Sequence, residues 1–439
     1  MIDRKKHKKI LSLAVPAALN SLLSMLQVIT DLIMVGRISA YAVAAVGLGL
    51  QSLMLVFAFL TLLHVGTSAL LSRFMGAGKV KRASLGLSSL LRFALFMSIP
   101  VTILWYFFTP MLYVWFGTEK EVVLLGTSYV QILTLMMPFI FVKLVFETSF
   151  SAAKNTTTPF YIKLASIMVN IFLNWILIYG NLGMPALGVE GAAIATVIVN
   201  VLELSIYFTL YIRDKMPYIP MWHYSKSLIQ RALKVGIPAS IERSLTFGSF
   251  MLFTMIIADF GTEALAGYQI GLRVEGLAFM PGIGFTIAAM ALMGQGLGAK
   301  RPDVAKEDVM LVLKYTTSFM FILGLFMIFA PEPIVWLFTD DQKTIEEASM
   351  YLRIVGFSQI PLAFNFVLSG ALRGAGDSKR TLRINITSLW LVRIIPAFVL
   401  AYYFESIIFV YLAMITDTFV KGFFLWRAFD KGEWQKIKV

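Results

Sequence analysis

The chain has 439 residues, of which 58% are hydrophobic and 14% are charged, and its mean hydropathy is +0.79. Soluble domains contain roughly 45–50% apolar and about 25% charged residues, so this composition excludes a soluble enzyme with one or two cores. The formal charge of +13 would suggest a nucleic-acid partner in a soluble protein. In a membrane protein it reflects Lys and Arg kept on the cytoplasmic side, so we expect membrane lipids and no nucleic acid as partners.

Long apolar runs separated by short polar breaks predict an all-α polytopic membrane protein with twelve transmembrane helices. The runs are continuous, whereas the strands of a transmembrane barrel would alternate over ~10 residues. The predicted spans are 10–36, 42–72, 87–108, 121–152, 160–180, 188–212, 229–258, 264–293, 308–330, 344–371, 382–403 and 406–427.

The distribution of basic residues between these spans predicts the orientation. The N-terminus and every second loop after it hold 27 Lys and Arg, whereas the opposite loops hold three, Arg37, Lys120 and Lys343. Cytoplasmic loops carry the excess of Lys and Arg. We therefore expect a multi-pass protein of the plasma (cytoplasmic) membrane with both termini in the cytoplasm.

An internal repeat with an offset of 222 residues divides the chain into two halves. Pro16 matches Pro238, and Tyr129 matches Tyr351. Each half has six predicted spans, so both halves enter the membrane from the same side and form a parallel repeat with a pseudo-two-fold axis along the membrane normal. The prediction is two six-helix lobes, 1–212 and 229–439, joined by a cytoplasmic linker, 213–228. Secondary transporters have this arrangement, with a central cleft between the lobes.

Polar residues follow one face of the first span. Their spacing of three or four residues places them in a single stripe, which consists of Pro16, Asn20, Ser24, Gln27 and Asp31. A charged side chain at bilayer depth costs ~2.5 kcal/mol or more, so the stripe should face the cleft or the lobe interior rather than lipid. Asn20 and Gln27 are candidates for the cleft, and hydrogen bonding between helices is the alternative for the neutral residues.

Further oxygen-bearing side chains lie on spans five and six. Asn170 and Asn174 are one helical turn apart, and Thr196 lies on span six. Together with Asp31 they would form an ion-coupling cluster within the first lobe. Carboxylate, amide and hydroxyl oxygens suit a hard cation such as Na⁺. The same carboxylate, removed from water, could carry a proton instead.

The second lobe has its own embedded polar group, formed by Glu242, Gln269, Arg273 and Glu275 on spans seven and eight. A structural Glu–Arg pair and a substrate-binding or coupling site are equally compatible with it. In the first lobe, Lys143 and Glu147 are four residues apart, a spacing that favours a local ion pair.

Motifs for other chemistry are lacking in the sequence. It contains no Walker motif, no paired-carboxylate metal motif and no nucleophile–base constellation, and three histidines without cysteine do not form a metal site. We expect no enzyme activity, no cofactor and no metal beyond a possible Na⁺ at the Asp31 cluster. A two-lobe protein of this kind can function as a monomer.

The chain resembles the multidrug and toxic compound extrusion (MATE) family, with a pattern closest to its DinF-like branch. Segments at equivalent helix ends carry the resemblance: Asp31–Arg37, Gly76–Gly78, Asn170–Asn174, Gly188–Thr196, Gly294–Ala299 and Leu372–Ser378. The resemblance implies efflux of organic cations or other amphipathic compounds, driven by Na⁺ or H⁺ through alternating access.

The resemblance also implies roles for individual residues. Asp31 occupies the place of the family's coupling aspartate, and Asn170, Asn174 and Thr196 match the positions that join it. Some members have a second aspartate where this chain has Asn174. Members that couple through the second lobe have an acid in the tenth helix, whereas span ten here carries Asn365 and no acid, so the resemblance favours the first lobe.

Two other functions are compatible with the sequence. A lipid-linked oligosaccharide flippase of the same superfamily would need a wide cationic cleft, to which Arg273, Arg353 and Arg393 would contribute. A membrane-embedded enzyme belongs to a different class, and turnover of a candidate lipid by the purified protein would reveal it.

Overall fold

The computed structural model describes residues 2–213, 218 and 220–437, and its regular structure within these ranges is helical throughout, with no strand. The helices are α1 (Ile2–Gly36), α2 (Ala40–Leu53), α3 (Val56–Gly76), α4 (Val80–Trp115), α5 (Lys120–Leu135), α6 (Met137–Ala152), α7 (Thr157–Tyr179), α8 (Gly188–Ile212), α9 (Lys226–Ala258), α10 (Thr262–Gly298), α11 (Pro302–Phe329), α12 (Pro331–Val335), α13 (Gln342–Gly356), α14 (Gln359–Gly374), α15 (Ser378–Ser388), α16 (Ile395–Phe404) and α17 (Ile407–Asp430).

The predicted number of spans is confirmed. Ten of the described helices are long and apolar enough to cross a bilayer, and two bent helix pairs bring the total to twelve. The pairs are α5 with α6, bent by 51°, and α13 with α14, bent by 58°. Pro138 and Pro361 lie in the first turns of α6 and α14. A proline there lacks a backbone donor and clashes with the carbonyl one turn earlier, which accounts for both bends.

Two predicted spans are less regular than the sequence suggests. The span 42–72 was expected to be one helix, but helical structure is interrupted at Met54 and Leu55, between α2 and α3. The span 382–403 contains a π-helical segment, Leu389–Ile394, between α15 and α16. Such segments insert an extra residue into the turn, which hydropathy alone does not reveal.

The chain forms two compact units. The N-terminal unit is Leu19–Gly236, and the C-terminal unit combines Met1–Ala18 with Ile237–Val439. The lead helices α1 and α9 therefore contribute residues to both units, and both helices contain a proline, Pro16 and Pro238. The lobe boundaries at 212 and 229 stay a prediction.

The 222-residue repeat is visible in the packing inside each unit. In the N-terminal unit, a Cβ added to Gly49 on α2 would lie 3.3 Å from the ring of Tyr129 on α5. In the C-terminal unit, a Cβ added to Gly271 on α10 would lie 2.2 Å from the ring of Tyr351 on α13. The members of the second pair each lie 222 residues after those of the first. In both pairs the glycine has no side chain, which makes room for the tyrosine ring.

Aromatic packing fixes α6 against α8 in the N-terminal unit. The ring of Phe146 lies 4.9 Å from that of Tyr211, and the ring of Phe150 lies 5.4 Å from that of Tyr207. Burial of such rings is a large apolar contribution with defined geometry. It holds in place the polar face of α6 that carries Lys143 and Glu147.

Candidate functional site

Asp31, near the end of α1, lies against the polar face of α7. The Nδ2 of Asn174 donates to the Oδ1 of Asp31 at 2.6 Å and is 3.3 Å from the Oδ1 of Asn170. Asp31 is 9% exposed, and both asparagines are fully buried. The structure therefore brings together three of the four residues predicted for ion coupling.

The free polar atoms of this cluster define its chemistry. The Oδ1 of Asn174 and the Nδ2 of Asn170 are buried without a hydrogen-bond partner. Buried polar atoms without partners are uncommon and call for a ligand, water or functional role. An amide oxygen beside a carboxylate can accept a cation, and a protonated carboxyl group can donate to the same oxygen. Among the described residues, no group of three His, Cys, Asp or Glu could hold a metal ion.

Thr196 stands apart from this cluster. It is half-buried on α8, and its backbone carbonyl accepts a hydrogen bond of 2.7 Å from Asn200. Within the described part of the chain, its hydroxyl forms no hydrogen bond to Asp31, Asn170 or Asn174. Its role in ion coupling stays a prediction.

Lys163 joins the Asp31 region to a second polar group. The Nζ of Lys163 donates to the Oε1 of Gln27, one turn before Asp31, at 2.7 Å. The same Nζ lies 3.5 Å from the Oε1 of Glu203 on α8. It is also near enough to Asp31 for their opposite charges to attract. Lys163 is one of the 27 basic residues expected on the cytoplasmic side, yet its side chain is only 17% exposed.

Glu203 is the centre of this second group. Lys143 donates to the Oε2 of Glu203 and to the Oδ1 of Asn200, each at 2.6 Å. The short ion pair of Lys143 is therefore with Glu203 on the neighbouring helix α8, and the charge of Glu147 acts on Lys143 as well. Charge-assisted hydrogen bonds between helices are stronger than a solvated pair on one helix face.

Asn20 and Glu147 line a small polar cavity within the N-terminal unit. The Nδ2 of Asn20 donates to the Oε1 of Glu147 at 2.9 Å, whereas the Oδ1 of Asn20 is buried without a partner. The cavity has a volume of about 80 Å³. Its lining residues are Asn20, Ser24, Lys143, Glu147, Pro159, Lys163, Glu203 and Tyr207. A cavity this polar and this large can hold water.

In the C-terminal unit, Glu242 has partners that the sequence analysis did not assign to it. The Oε1 of Glu242 accepts from the Nη2 of Arg373 on α14 and from the Nδ2 of Asn385 on α15, each at 2.6 Å. The Oε2 of Glu242 is buried without a partner. A structural Glu–Arg pair is thus present, but its arginine is Arg373, one of the 27 basic residues expected on the cytoplasmic side, and not Arg273.

The other candidates of the C-terminal unit do not join Glu242. The Oε2 of Glu275 accepts a hydrogen bond of 2.6 Å from Tyr351. Gln269 and Arg273 are exposed. The expected single polar group on spans seven and eight is therefore separated into a buried ion pair, a carboxylate held by a tyrosine and two exposed side chains.

The three arginines considered for the cationic cleft of a lipid-linked oligosaccharide flippase are also separate. Arg353 forms a salt bridge with Glu332, and the guanidinium carbon of Arg393 lies 4.5 Å from the ring centre of Phe253. Arg273 is exposed. The structure places these three residues in different surroundings and does not gather them around one anion site within the described C-terminal unit.

The spacing of polar residues in the sequence indicates that Lys163 and Arg373 belong to the buried polar groups, although neither was predicted as a site residue. Lys163, Ser166, Asn170 and Asn174 are separated by three or four residues, so they share one face of α7. Asn365, Ser369 and Arg373 follow the same rule on α14. Extending each polar stripe towards the helix end would have included Lys163 and Arg373.

The comparison with protein families identifies the family of this chain. The MatE family model matches residues 16–176 and again residues 238–399, which together make up more than half of the chain. The chain belongs to the MatE family. The two matches begin 222 residues apart, so the family model itself repeats with the predicted offset. The predicted resemblance to the MATE family is confirmed.

MatE relatives cover nearly the whole chain. A probable multidrug resistance protein NorM of Thermotoga maritima is 29% identical over 99% of this chain and 94% of its own length. A probable multidrug resistance protein YoeA of Bacillus subtilis is 27% identical over 89% of this chain and 86% of its own length.

Solved structures show the same fold. A multidrug resistance MATE family transporter of the MOP superfamily, in an outward-facing conformation, matches with a TM-score of 0.92 at 20% identity, over 98% of this chain and 97% of that one. A MOP superfamily transporter from Pyrococcus furiosus matches with a TM-score of 0.91 at 21% identity over the same shares of the two chains. The chain is thus an all-α, multi-pass membrane protein with the MATE transporter fold.

Proposed function

We propose that this MatE protein is a secondary active multidrug efflux antiporter. It would export organic cations or other amphipathic compounds in exchange for H⁺ or Na⁺ by alternating access. Family membership and the multidrug resistance names of its relatives support the transport class. We further propose that it acts in the cytoplasmic membrane as a monomer with both termini in the cytoplasm, and that it needs no cofactor.

The observation that carries the coupling role is the 2.6 Å hydrogen bond between Asn174 and Asp31. Asp31 is an acidic side chain on a helix long and apolar enough to cross the membrane, and it lies beside an amide oxygen that has no partner. We propose that Asp31 is the coupling residue and that Asn170 and Asn174 orient it, with Thr196 as the fourth member of the predicted site.

The proposed cycle uses the charge state of Asp31. Substrate binds while Asp31 is ionised, and a cation entering from outside then neutralises Asp31 and weakens the substrate site. A coupling ion can shift the equilibrium only by binding the two states with different affinity. Asp31 provides such a difference if its access to the cation changes between the states.

Transport by purified protein in proteoliposomes tests this function. The vesicles contain a fluorescent organic cation, and efflux is measured under an inward Na⁺ gradient and, separately, under an inward proton gradient. We expect one gradient to accelerate efflux over vesicles without a gradient. Equal efflux in all conditions would overturn the antiport assignment, and turnover of a lipid substrate would favour the enzyme class instead.

A further inference from the structure

The side chain of Lys163 is largely removed from solvent, although the residue lies near the start of α7. It lies in the second turn of α7, and its ammonium group faces three other helices of the N-terminal unit. Gln27 and Asp31 are on α1, Lys143 and Glu147 are on α6, and Glu203 is on α8. A lysine near a helix end usually extends to the interface with water. Lys163 instead makes its closest contact, 2.7 Å, with the neutral oxygen of Gln27.

The partners of Lys163 leave its charge only partly compensated. Its nearest carboxylate, Glu203, is 3.5 Å away and forms a shorter contact of 2.6 Å with Lys143. Two ammonium groups therefore share one close carboxylate, and Asp31 and Glu147 supply the remaining negative charge from farther away. A buried charge without full compensation is costly, so Lys163 responds to any change in the surrounding charge.

Neutralisation of Asp31 is such a change. When a cation or proton binds Asp31, the attraction of Asp31 for Lys163 is lost, and the pull of Glu203, already the nearest carboxylate of Lys163, is no longer opposed by a charge on α1. The polar cavity of about 80 Å³ borders both Lys163 and Glu203, so the ammonium group has room to move. Such a movement would weaken the bond between Lys163 and Gln27, four residues before Asp31 on the same helix.

We propose that Lys163 is a positioning residue for ion coupling, and that its ammonium group competes with the coupling cation for Asp31 and passes the charge state of Asp31 to Glu203 on α8. This inference rests on the proposed function, because it assumes that Asp31 binds the cation. Its new element is that the ammonium group of Lys163 competes with the cation for Asp31. This competition sets the cation concentration at which Asp31 is neutralised.

The proposal predicts opposite effects for two substitutions. Lys163→Met removes the competing positive charge and keeps a side chain of similar length. The apparent affinity of the protein for the coupling cation therefore rises by about tenfold, as expected when one positive charge is removed from the partly screened surroundings of Asp31. Glu203→Gln leaves Lys163 with only Asp31 and Glu147 as counter-charges, so Lys163 competes more strongly for Asp31 and the apparent cation affinity falls. Lys163→Arg keeps the positive charge, so by the same argument its apparent cation affinity stays within about twofold of that of the unmodified protein.

Cation titration of the purified full-length protein tests the proposal. Intrinsic tryptophan fluorescence is a suitable signal, because Trp175 follows Asn174 in the sequence. NaCl is titrated at constant pH, and pH is titrated without Na⁺. Lys314→Met is the matched control, since Lys314 is an exposed lysine of the C-terminal unit, and it should leave the midpoint unchanged.

The outcomes separate this proposal from the proposed function. If Asp31→Asn responds to the cation like the unmodified protein, the proposed coupling role of Asp31 fails. If Asp31→Asn loses the response while Lys163→Met shows an unchanged or weaker affinity, only the role of Lys163 fails. Should Lys163→Met not fold, weaker affinity in Glu203→Gln with normal affinity in Lys163→Arg supports the proposal, and unchanged affinity in Glu203→Gln overturns it.

Discussion

The guanidinium carbon of Arg393 lies 4.5 Å from the ring centre of Phe253, and Phe253 occupies in the second copy of the repeat the position that Asp31 occupies in the first. Arg393 belongs to the π-helical segment between α15 and α16. The first copy therefore has a carboxylate at this position, whereas the second has an apolar ring in contact with a guanidinium group. A cation is attracted by the carboxylate of Asp31 and is repelled by a guanidinium group, and this difference supports our proposal that cation coupling takes place at Asp31 in the N-terminal unit.

The hydrogen bond between Asn174 and Asp31 leads to the first prediction. Asn174→Leu removes the donor and leaves Asp31 without its amide partner, at a cost in the free energy of unfolding of ~1–3 kcal/mol. We expect gradient-driven efflux to fall at least about tenfold, because the carboxylate is no longer held in position. Efflux in proteoliposomes and thermal unfolding in detergent measure the two effects. Efflux at the unmodified rate would contradict a positioning role of Asn174.

The buried pair of Arg373 and Glu242 leads to the second prediction. Arg373→Met leaves Glu242 buried without its cation, which lowers the free energy of unfolding by ~3–5 kcal/mol. Replacing both residues with Met removes both charges and should recover most of that loss. Thermal unfolding of the unmodified protein and of the two variants in detergent measures the difference, and a double variant as unstable as the single one would contradict the pairing.

Close packing at Gly49 leads to the third prediction. A Cβ at this position would lie 2.8 Å from the Oη of Tyr113 and from a methyl group of Val130. Gly49→Ala therefore overpacks the N-terminal unit and destabilises it by ~1–3 kcal/mol. Gly47→Ala on the same helix is the matched control, because a Cβ there has nothing within 4 Å. Alanine is a better helix former than glycine, so the control should be neutral or slightly stabilising.

The N-cap of α13 leads to a prediction about pH. The Oδ2 of Asp341 accepts from the hydroxyl and the backbone N–H of Thr344 at 2.6 and 2.9 Å, and these hydrogen bonds hold the pKa of Asp341 below its usual value. The cap therefore stabilises the fold above the ordinary aspartate pKa, and its contribution is lost as the pH falls through the lowered pKa.

Two substitutions test that pH dependence. Asp341→Ala should lower the midpoint of thermal unfolding at neutral pH and have a smaller effect in acid, where the cap of the unmodified protein is already lost. Asp341→Asn keeps an acceptor oxygen and should be milder at neutral pH. An effect of Asp341→Ala that does not change between neutral and acidic pH would contradict the assigned cap.

The sequence was sufficient to predict the helices and part of the site. Hydropathy gave twelve spans, and the three- and four-residue spacing of polar groups placed Asp31, Asn170 and Asn174 on facing helices. These predictions succeed because one helix face has a fixed period and because a bilayer excludes charge. The break at Met54 and the π-helical segment at Leu389 depend on tertiary packing, so hydropathy does not reveal them.

Pairings between distant residues were beyond the sequence. Glu242 and Arg373 are 131 positions apart, and Lys163 and Gln27 are 136 positions apart. A count of basic residues near span ends treats both Lys163 and Arg373 as solvated cytoplasmic residues, because the position of a residue in the sequence does not tell where its side chain points. The buried carboxylate and amide partners become evident only once the helices are packed.

Gradient-driven efflux of an organic cation by Asp31→Asn in proteoliposomes tests the central claim most directly. The variant keeps the size of the side chain but cannot be neutralised by a cation, so the claim predicts that the driving ion no longer accelerates efflux. Efflux by Asp31→Asn that still responds to the driving ion like the unmodified protein would contradict the assignment of Asp31 as the coupling residue.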